Sequence, residues 1–319
     1  MPRLEPMIVS SPYAAALDRI PVREFSHDIL GSQTHYWQYG DASAATTIVM
    51  VHGFRGDHHG LEPVVAALGD APGTPRLRMI SPDLPGFGAS EPLVGIRHDI
   101  EGYGRWLRAF VARLEIGGRL VILGHSFGSI VVSAALAEQS IAADDTALRP
   151  ERVVLVNPIA APALQGPRGI LTRLAVFYYW LGARLPERLG FAVLRNKLVV
   201  RIMSVAMAKT RDKALRRWIH NQHDRYFSAF SDRDVVLEAF QASVSNDVSE
   251  FAARIGQKTL LIAAEKDDIT PVAAQEKLLT LFPDATLHVI AAVGHLIHYE
   301  VPAEAARLIA AFLAEGEPA

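Results

Sequence analysis

The sequence predicts an α/β fold: a mostly parallel central sheet with helices on both faces, plus an inserted all-helical segment. Two observations carry this expectation. Short, purely apolar runs recur along the chain and alternate with helical patterns. Such runs fit strands buried on both faces, and the alternation calls for a parallel sheet covered on both sides. From residue 159 to about 249 the strand signal stops and only helical patterns remain. The boundaries read this way are a core over 1–158, a helical cap over 159–249 and a return to the core over 250–319.

Residues 22–30 and 34–39, joined at Gly31-Ser32, predict an antiparallel strand pair at a sheet edge. Thr46–Val51 (TTIVMV) is β-branched and apolar, as a buried strand should be. It ends at His52-Gly53-Phe54-Arg55-Gly56, a glycine-rich turn able to present backbone N–H groups to an oxyanion. A short helix over 61–68 and a strand over 77–80 follow. The loop Asp83 to Ser90 (DLPGFGAS) contains G-x-G, but Glu91 and Pro92 break the dinucleotide fingerprint, so NAD binding is excluded. Residues 100–114 place Tyr103, Trp106, Leu107, Phe110, Val111 and Leu114 on one helical stripe.

The centre of the chain is Arg119 to Gly128, RLVILGHSFG. Its apolar run 120–123 stops at Gly124-His125-Ser126-Phe127-Gly128 and passes straight into an apolar helix over 129–138. A serine between two glycines at a strand-to-helix turn fits the nucleophile elbow. Side chains at 124 and 128 would collide with the neighbouring strand and helix, and the serine hydroxyl is held clear at a helix N-terminus. The backbone N–H groups of Phe54 and Phe127 are the expected oxyanion donors.

Arg152–Val156 is the next strand, and the rhythm breaks after Asn157-Pro158. In the insertion Ile170, Leu174, Phe177, Tyr178 and Leu181 share one helical face, and Pro186 opens a second segment. Ser231-Asp232-Arg233-Asp234 reads as a capping box before a helix over 235–244. Phe177, Tyr178, Trp180 and Trp218 are either core residues or the lining of an acyl pocket. From Arg168 to Arg217 twelve Lys/Arg stand against Glu187 and Asp212, a balance of +10 in a chain of formal charge −2. A solvated basic face, peripheral contact with an anionic membrane and attraction of an acidic substrate all fit that balance.

The core pattern resumes with a strand over 259–264, then Glu265-Lys266-Asp267-Asp268-Ile269-Thr270-Pro271 and a helix to Phe282. A last strand over 286–290 leads to Gly294-His295 and an amphipathic helix over 302–314. Ser126, Asp267 and His295 therefore each follow a strand, and in a parallel sheet those ends share the edge where ligands bind.

These motifs resemble the α/β-hydrolase superfamily, with Ser126, Asp267 and His295 in the positions of its triad. The resemblance extends to His52-Gly53, to Asp83-Leu84-Pro85-Gly86-Phe87-Gly88 and to Glu300-Val301-Pro302. It implies the α/β-hydrolase fold with a helical cap. The family spacing of acid, three residues and proline selects Asp267, with Asp268 the runner-up. Serine at 126 argues against the epoxide hydrolase and haloalkane dehalogenase chemistries, which place Asp there. The implied activity is cofactor-independent hydrolysis of a carboxylic ester of a small or medium hydrophobic substrate through an acyl-enzyme. Carbon–carbon hydrolysis of a vinylogous diketone is the alternative. Leu296 after His295 and Gly128-Ser129 in the elbow depart from that group's pattern. Thioester hydrolysis uses the same apparatus, and a hydrolase-like small-molecule receptor is a further alternative.

Composition sets the outer bounds. The 319 residues contain no cysteine, which excludes disulfides, thiolate catalysis and Cys-based zinc sites. The slight negative charge argues against a nucleic-acid partner. Asp57-His58-His59 with His52 does not match zinc-ligand spacing, so no metal is expected. His52 is expected to prop the oxyanion turn, and His298 to be a packed or surface histidine. The first residues lack a long apolar stretch, so the expected location is cytoplasmic.

Overall fold

The computed structural model describes residues 9–71, 76–138, 148–161, 169–230 and 232–315. After a short helix α1 (Ala14–Leu17) come strands β1 (Val22–Ile29), β2 (Ser32–Gly40) and β3 (Thr46–Val51), then α2 (Glu62–Asp70), β4 (Leu77–Pro82) and α3 (Ile100–Arg113). β5 (Arg119–His125) runs into α4 (Phe127–Glu138), followed by β6 (Arg152–Val156). Helices α5 (Gly169–Arg184), α6 (Glu187–Leu194), α7 (Lys197–Met207), α8 (Lys213–Tyr226) and α9 (Arg233–Ser245) form the insertion. The chain closes with β7 (Lys258–Ala264), α10 (Val272–Leu279), β8 (Ala285–Ile290), α11 (Ile297–Glu300) and α12 (Pro302–Ala314).

The eight strands form one sheet in the order β1-β2-β4-β3-β5-β6-β7-β8. β1 and β2 pair antiparallel, as the Gly31-Ser32 turn predicts, and β2 meets β4 antiparallel. Every pair from β4 to β8 is parallel. The all-apolar strands have apolar cover on both faces. On one side α3 and α4 bury Trp106, Phe110, Ile130 and Val131. On the other, α2 and α12 bury Val64, Val65, Ile309 and Phe312. No helix among the described residues is long and apolar enough to cross a membrane.

The insertion is where expectation and structure part. The predicted stripe on α5 splits: Leu174 and Phe177 are exposed, Tyr178 and Leu181 are half-buried, and the neighbouring Tyr179 is buried. Burial there follows Tyr179 and Gly182, whose missing side chain leaves room for Leu194 of α6. The side chain of Ile170 lies outside the described residues. The cap of α9 is Asp232, whose carboxylate accepts from the backbone N–H groups of Asp234 and Val235. Ser231, the capping residue expected from sequence, lies outside the described residues. Helices α7 and α8 were not resolved in the sequence pattern. Each is capped by an acidic or amide side chain, Asn196 for α7 and Asp212 for α8.

Candidate active site

The strand-to-helix turn at Ser126 is tight for reasons visible atom by atom. Ser126 has φ +53°, a left-handed conformation rarely adopted by a non-glycine residue. A Cβ at Gly124 would lie 2.5 Å from the Gly128 carbonyl oxygen, and one at Gly128 would lie 2.3 Å from that of Val51. Both glycines are therefore required where β3, β5 and α4 converge. The turn is fixed by the Ser126 N–H donating to Val156 O at 3.0 Å. α4 begins at the next residue, so Phe127 supplies the first N–H of that helix.

Ser126, His295 and Asp267 arrive from β5, β8 and β7 and meet in a line. His295 Nε2 lies 2.8 Å from Ser126 Oγ, and its Nδ1 lies 2.7 Å from Asp267 Oδ2. The other Asp267 oxygen accepts from the N–H groups of Ile269 (2.7 Å) and Thr270 (3.2 Å). Burial alone raises the Asp267 pKa. The His295 charge and these hydrogen bonds outweigh it and hold the carboxyl below its ordinary value. Asp268 points elsewhere, half-exposed and 2.6 Å from Lys209 Nζ. The choice between the two carboxylates falls on Asp267.

Two supporting residues were missed by sequence reasoning. Asn157, at the end of β6, has φ +46° and is fully buried. Its Nδ2 donates to Asp267 Oδ2 at 3.1 Å. An Asn at the same sheet edge as the other site residues, tolerant of left-handed φ, was the available signal. Arg55, in the turn after β3, is buried and donates to Phe227 O (2.8 Å), Tyr179 OH (3.1 Å) and Leu194 O (2.9 Å). It ties the turn carrying Phe54 to three parts of the helical insertion. Its only sequence signal was its place in a glycine-rich turn.

Above Ser126 lies a cavity of about 170 Å³ walled by Phe54, Leu61, Met203, Met207, Phe227 and Leu296. The two methionines belong to α7, so the insertion roofs the serine. Neither Trp218 nor the α5 aromatics reach this wall. Trp218 packs against Tyr13 and Tyr299, Tyr178 bonds Val193 O, and Phe177 and Trp180 are exposed. Buried histidines flank the cavity. Burial, then neighbouring charges, push His125 and His223 down to about 3 and His298 well below its ordinary value. Buried His298 is thus packed against the site, its ring centroid 4.0 Å from that of His125.

His52 supports the turn, as expected. Its Nδ1–H donates to Gly53 O (2.8 Å) while Nε2 accepts from Leu84 N–H (2.9 Å), which fixes the neutral tautomer. The Asp57-His58-His59 loop is tied into the DLPGFG loop. His58 donates through its backbone N–H and Nδ1 to Asp83 Oδ1, and Asp83 Oδ2 accepts from Ala89 N–H. Adjacent histidines converge here: among the described residues His58, His59 and Glu62 offer ligand atoms within 4.8 Å of one another. His58 Nδ1 is hydrogen-bonded to Asp83, and His59 Nδ1 to Glu62.

Residues 48–308 match the alpha/beta hydrolase family. The chain belongs to that family. It is a hydrolase by this membership, and two relatives share nearly its whole length. One is an uncharacterized hydrolase, YugF, of Bacillus subtilis, 25% identical over 92% of this chain and 98% of its own. The other is the 2-hydroxy-6-oxononadienedioate/2-hydroxy-6-oxononatrienedioate hydrolase of Cupriavidus pinatubonensis, 26% identical over 85% and 88%. Among solved structures, a thermophilic esterase from Thermogutta terrifontis superposes with a TM-score of 0.68 at 19% identity, covering 92% of this chain and 98% of that one. This last likeness is one of fold.

Proposed function

We propose that this alpha/beta hydrolase cleaves carboxylic esters of small or medium hydrophobic molecules through an acyl-enzyme on Ser126. The observation that carries the reading is the continuous line Ser126 Oγ–His295–Asp267, at 2.8 and 2.7 Å, beneath an apolar roof. In this reading the insertion is the family's cap, and the line is a catalytic triad.

His295 Nε2 takes the hydroxyl proton as Ser126 Oγ attacks the ester carbonyl carbon. The carbonyl oxygen becomes an oxyanion, held by the N–H groups of Phe54 and Phe127, a stabilisation worth about 10²–10³ in rate per donor. The C–O bond then breaks, and Nε2–H protonates the departing alkoxide. Water attacks the acyl-enzyme, gives its proton to Nε2 and releases the acid, and the proton returns to Ser126. Asp267, oriented by Asn157 and two backbone N–H groups, fixes the imidazole tautomer and stabilises the transient imidazolium.

Among the described residues the cavity wall contains no Lys or Arg to receive a carboxylate. That favours a neutral ester over the dicarboxylic substrate in the name of the Cupriavidus relative. The test is hydrolysis of p-nitrophenyl esters of increasing acyl length, wild type beside Ser126→Ala. Repeated turnover by the wild type, with a maximum at roughly four to six carbons for a cavity of this size, and a loss of about 10⁴-fold or more in the variant are expected. Turnover of a vinylogous diketone or a thioester with no ester cleavage would move the assignment to that bond. Release of a single equivalent would make the protein a receptor.

A further inference from the structure

Helix α7 is apolar on two opposite sides. Val200 and Ser204 are buried and Met203 and Met207 face the cavity, yet Leu198, Ile202 and Val205 are 68%, 60% and 57% exposed. The exposed three stand at i, i+4 and i+7, one continuous stripe. α5 repeats the pattern with exposed Leu174, Phe177 and Trp180. Phe177 stacks on Trp180 at 5.8 Å, and the Arg184 guanidinium lies 5.9 Å from the Trp180 ring centre. With Leu189 of α6, the insertion holds seven of the thirteen large hydrophobic side chains exposed among the described residues. Scattered exposed hydrophobics need no explanation, but such a concentration does.

Residues 168–217 of the insertion carry the chain's charge asymmetry, twelve Lys/Arg against two acids in a protein of net −2. Arg168 and the side chain of Arg173 lie outside the described residues. Arg201 and Lys209 pair with Asp224 and Asp268. Arg184, Arg188, Lys197, Arg211, Lys213 and Arg217 are exposed. A second copy placed on the insertion would set positive charge against positive charge. A polyanion without an apolar phase would leave Leu198, Ile202 and Phe177 in water. An anionic bilayer satisfies both features, since apolar side chains enter the acyl boundary while Lys and Arg reach the headgroups.

We infer that the insertion is a docking surface for anionic lipid bilayers. Docked through α5 and α7, it sets the wall carried by Met203 and Met207 against the membrane, so hydrophobic esters reach Ser126 from the lipid phase. That route rests on the proposed ester hydrolysis; the docking does not.

The experiment is co-sedimentation with vesicles of phosphatidylcholine and phosphatidylglycerol, against vesicles of phosphatidylcholine alone. Wild type and Ser126→Ala bind the anionic vesicles equally, and raising salt to about 0.5 M weakens binding about ten-fold. Phe177→Glu and Leu198→Glu, both exposed, each lower partitioning by about ten-fold or more and leave turnover of soluble p-nitrophenyl butyrate unchanged. Absence of binding to anionic vesicles overturns the inference, as does binding indifferent to phosphatidylglycerol and salt. So does a concentration-dependent dimer that the two substitutions dissociate. Vesicle binding by a protein that cleaves no ester upholds the docking and removes only the ester reading.

Discussion

At the scale of single residues, the site turns on which carboxylate faces His295. Asp267 does, at 2.7 Å, while Asp268 pairs with Lys209 near the surface. Asp267→Asn leaves shape intact but favours the wrong imidazole tautomer, so kcat is expected to fall by about 10⁴. Asp268→Asn, which removes a half-exposed ion pair away from His295, stays within about three-fold of wild type. Steady-state kinetics on a p-nitrophenyl ester compare the two, and reversed magnitudes would exchange the assignments. Ser126, Asp267 and His295 were legible because each closes an apolar strand in a distinctive loop. Asn157 was not, because its contribution is a left-handed backbone and one hydrogen bond across 110 positions of sequence.

At the scale of elements, strands and amphipathic core helices read directly from the sequence, since each buries against a sheet of known periodicity. The insertion did not. In α5 an apolar stripe predicts a buried face only if the core is what covers it, and here Leu174 and Phe177 face outward. Small residues decide the packing instead, with Gly182 against Leu194 and Gly190 against Gly182 O. The insertion is also fastened by buried Arg55, through hydrogen bonds to Tyr179, Leu194 and Phe227. Arg55→Met keeps the bulk but leaves those acceptors unsatisfied. We expect a loss of about 2–4 kcal/mol in urea unfolding and faster proteolysis within residues 169–230. Unchanged stability and unchanged cleavage would show that the insertion is held without Arg55, by its apolar contacts and by bonds such as Lys209 N–H to Glu300 and Gly88 N–H to Ala229 O.

At the scale of the whole molecule, parallel strand order gathers the ends of β3, β5, β6, β7 and β8 at one edge, and the site follows from that topology. The same edge collects His125, His223 and His298, buried and neutral. Their folded pKa values lie below the unfolded value near 6.5, so the unfolded chain binds protons first as pH falls. Stability is therefore fully present above about pH 7 and is lost progressively as pH drops from about 6.5 toward 3, by up to about 1.4 kcal/mol per pH unit for each histidine. The depressed Asp267 pKa adds a loss at still lower pH, below the ordinary carboxylate range. Urea midpoints at pH 7.5 and about 5.5 measure the first effect, and equal midpoints would mean that these imidazoles bind protons in the fold as readily as in the unfolded chain.

The most direct measurement of the central claim is covalent labelling with a fluorophosphonate, read by peptide mass spectrometry. A serine activated by His295 attacks the phosphorus and expels fluoride, leaving a stable adduct. The native protein is expected to carry one label, on the peptide containing Ser126, whereas protein unfolded before exposure to the reagent, or carrying His295→Gln, is expected to carry none. No label, or a label on another residue with Ser126 untouched, would contradict a hydrolase built on Ser126.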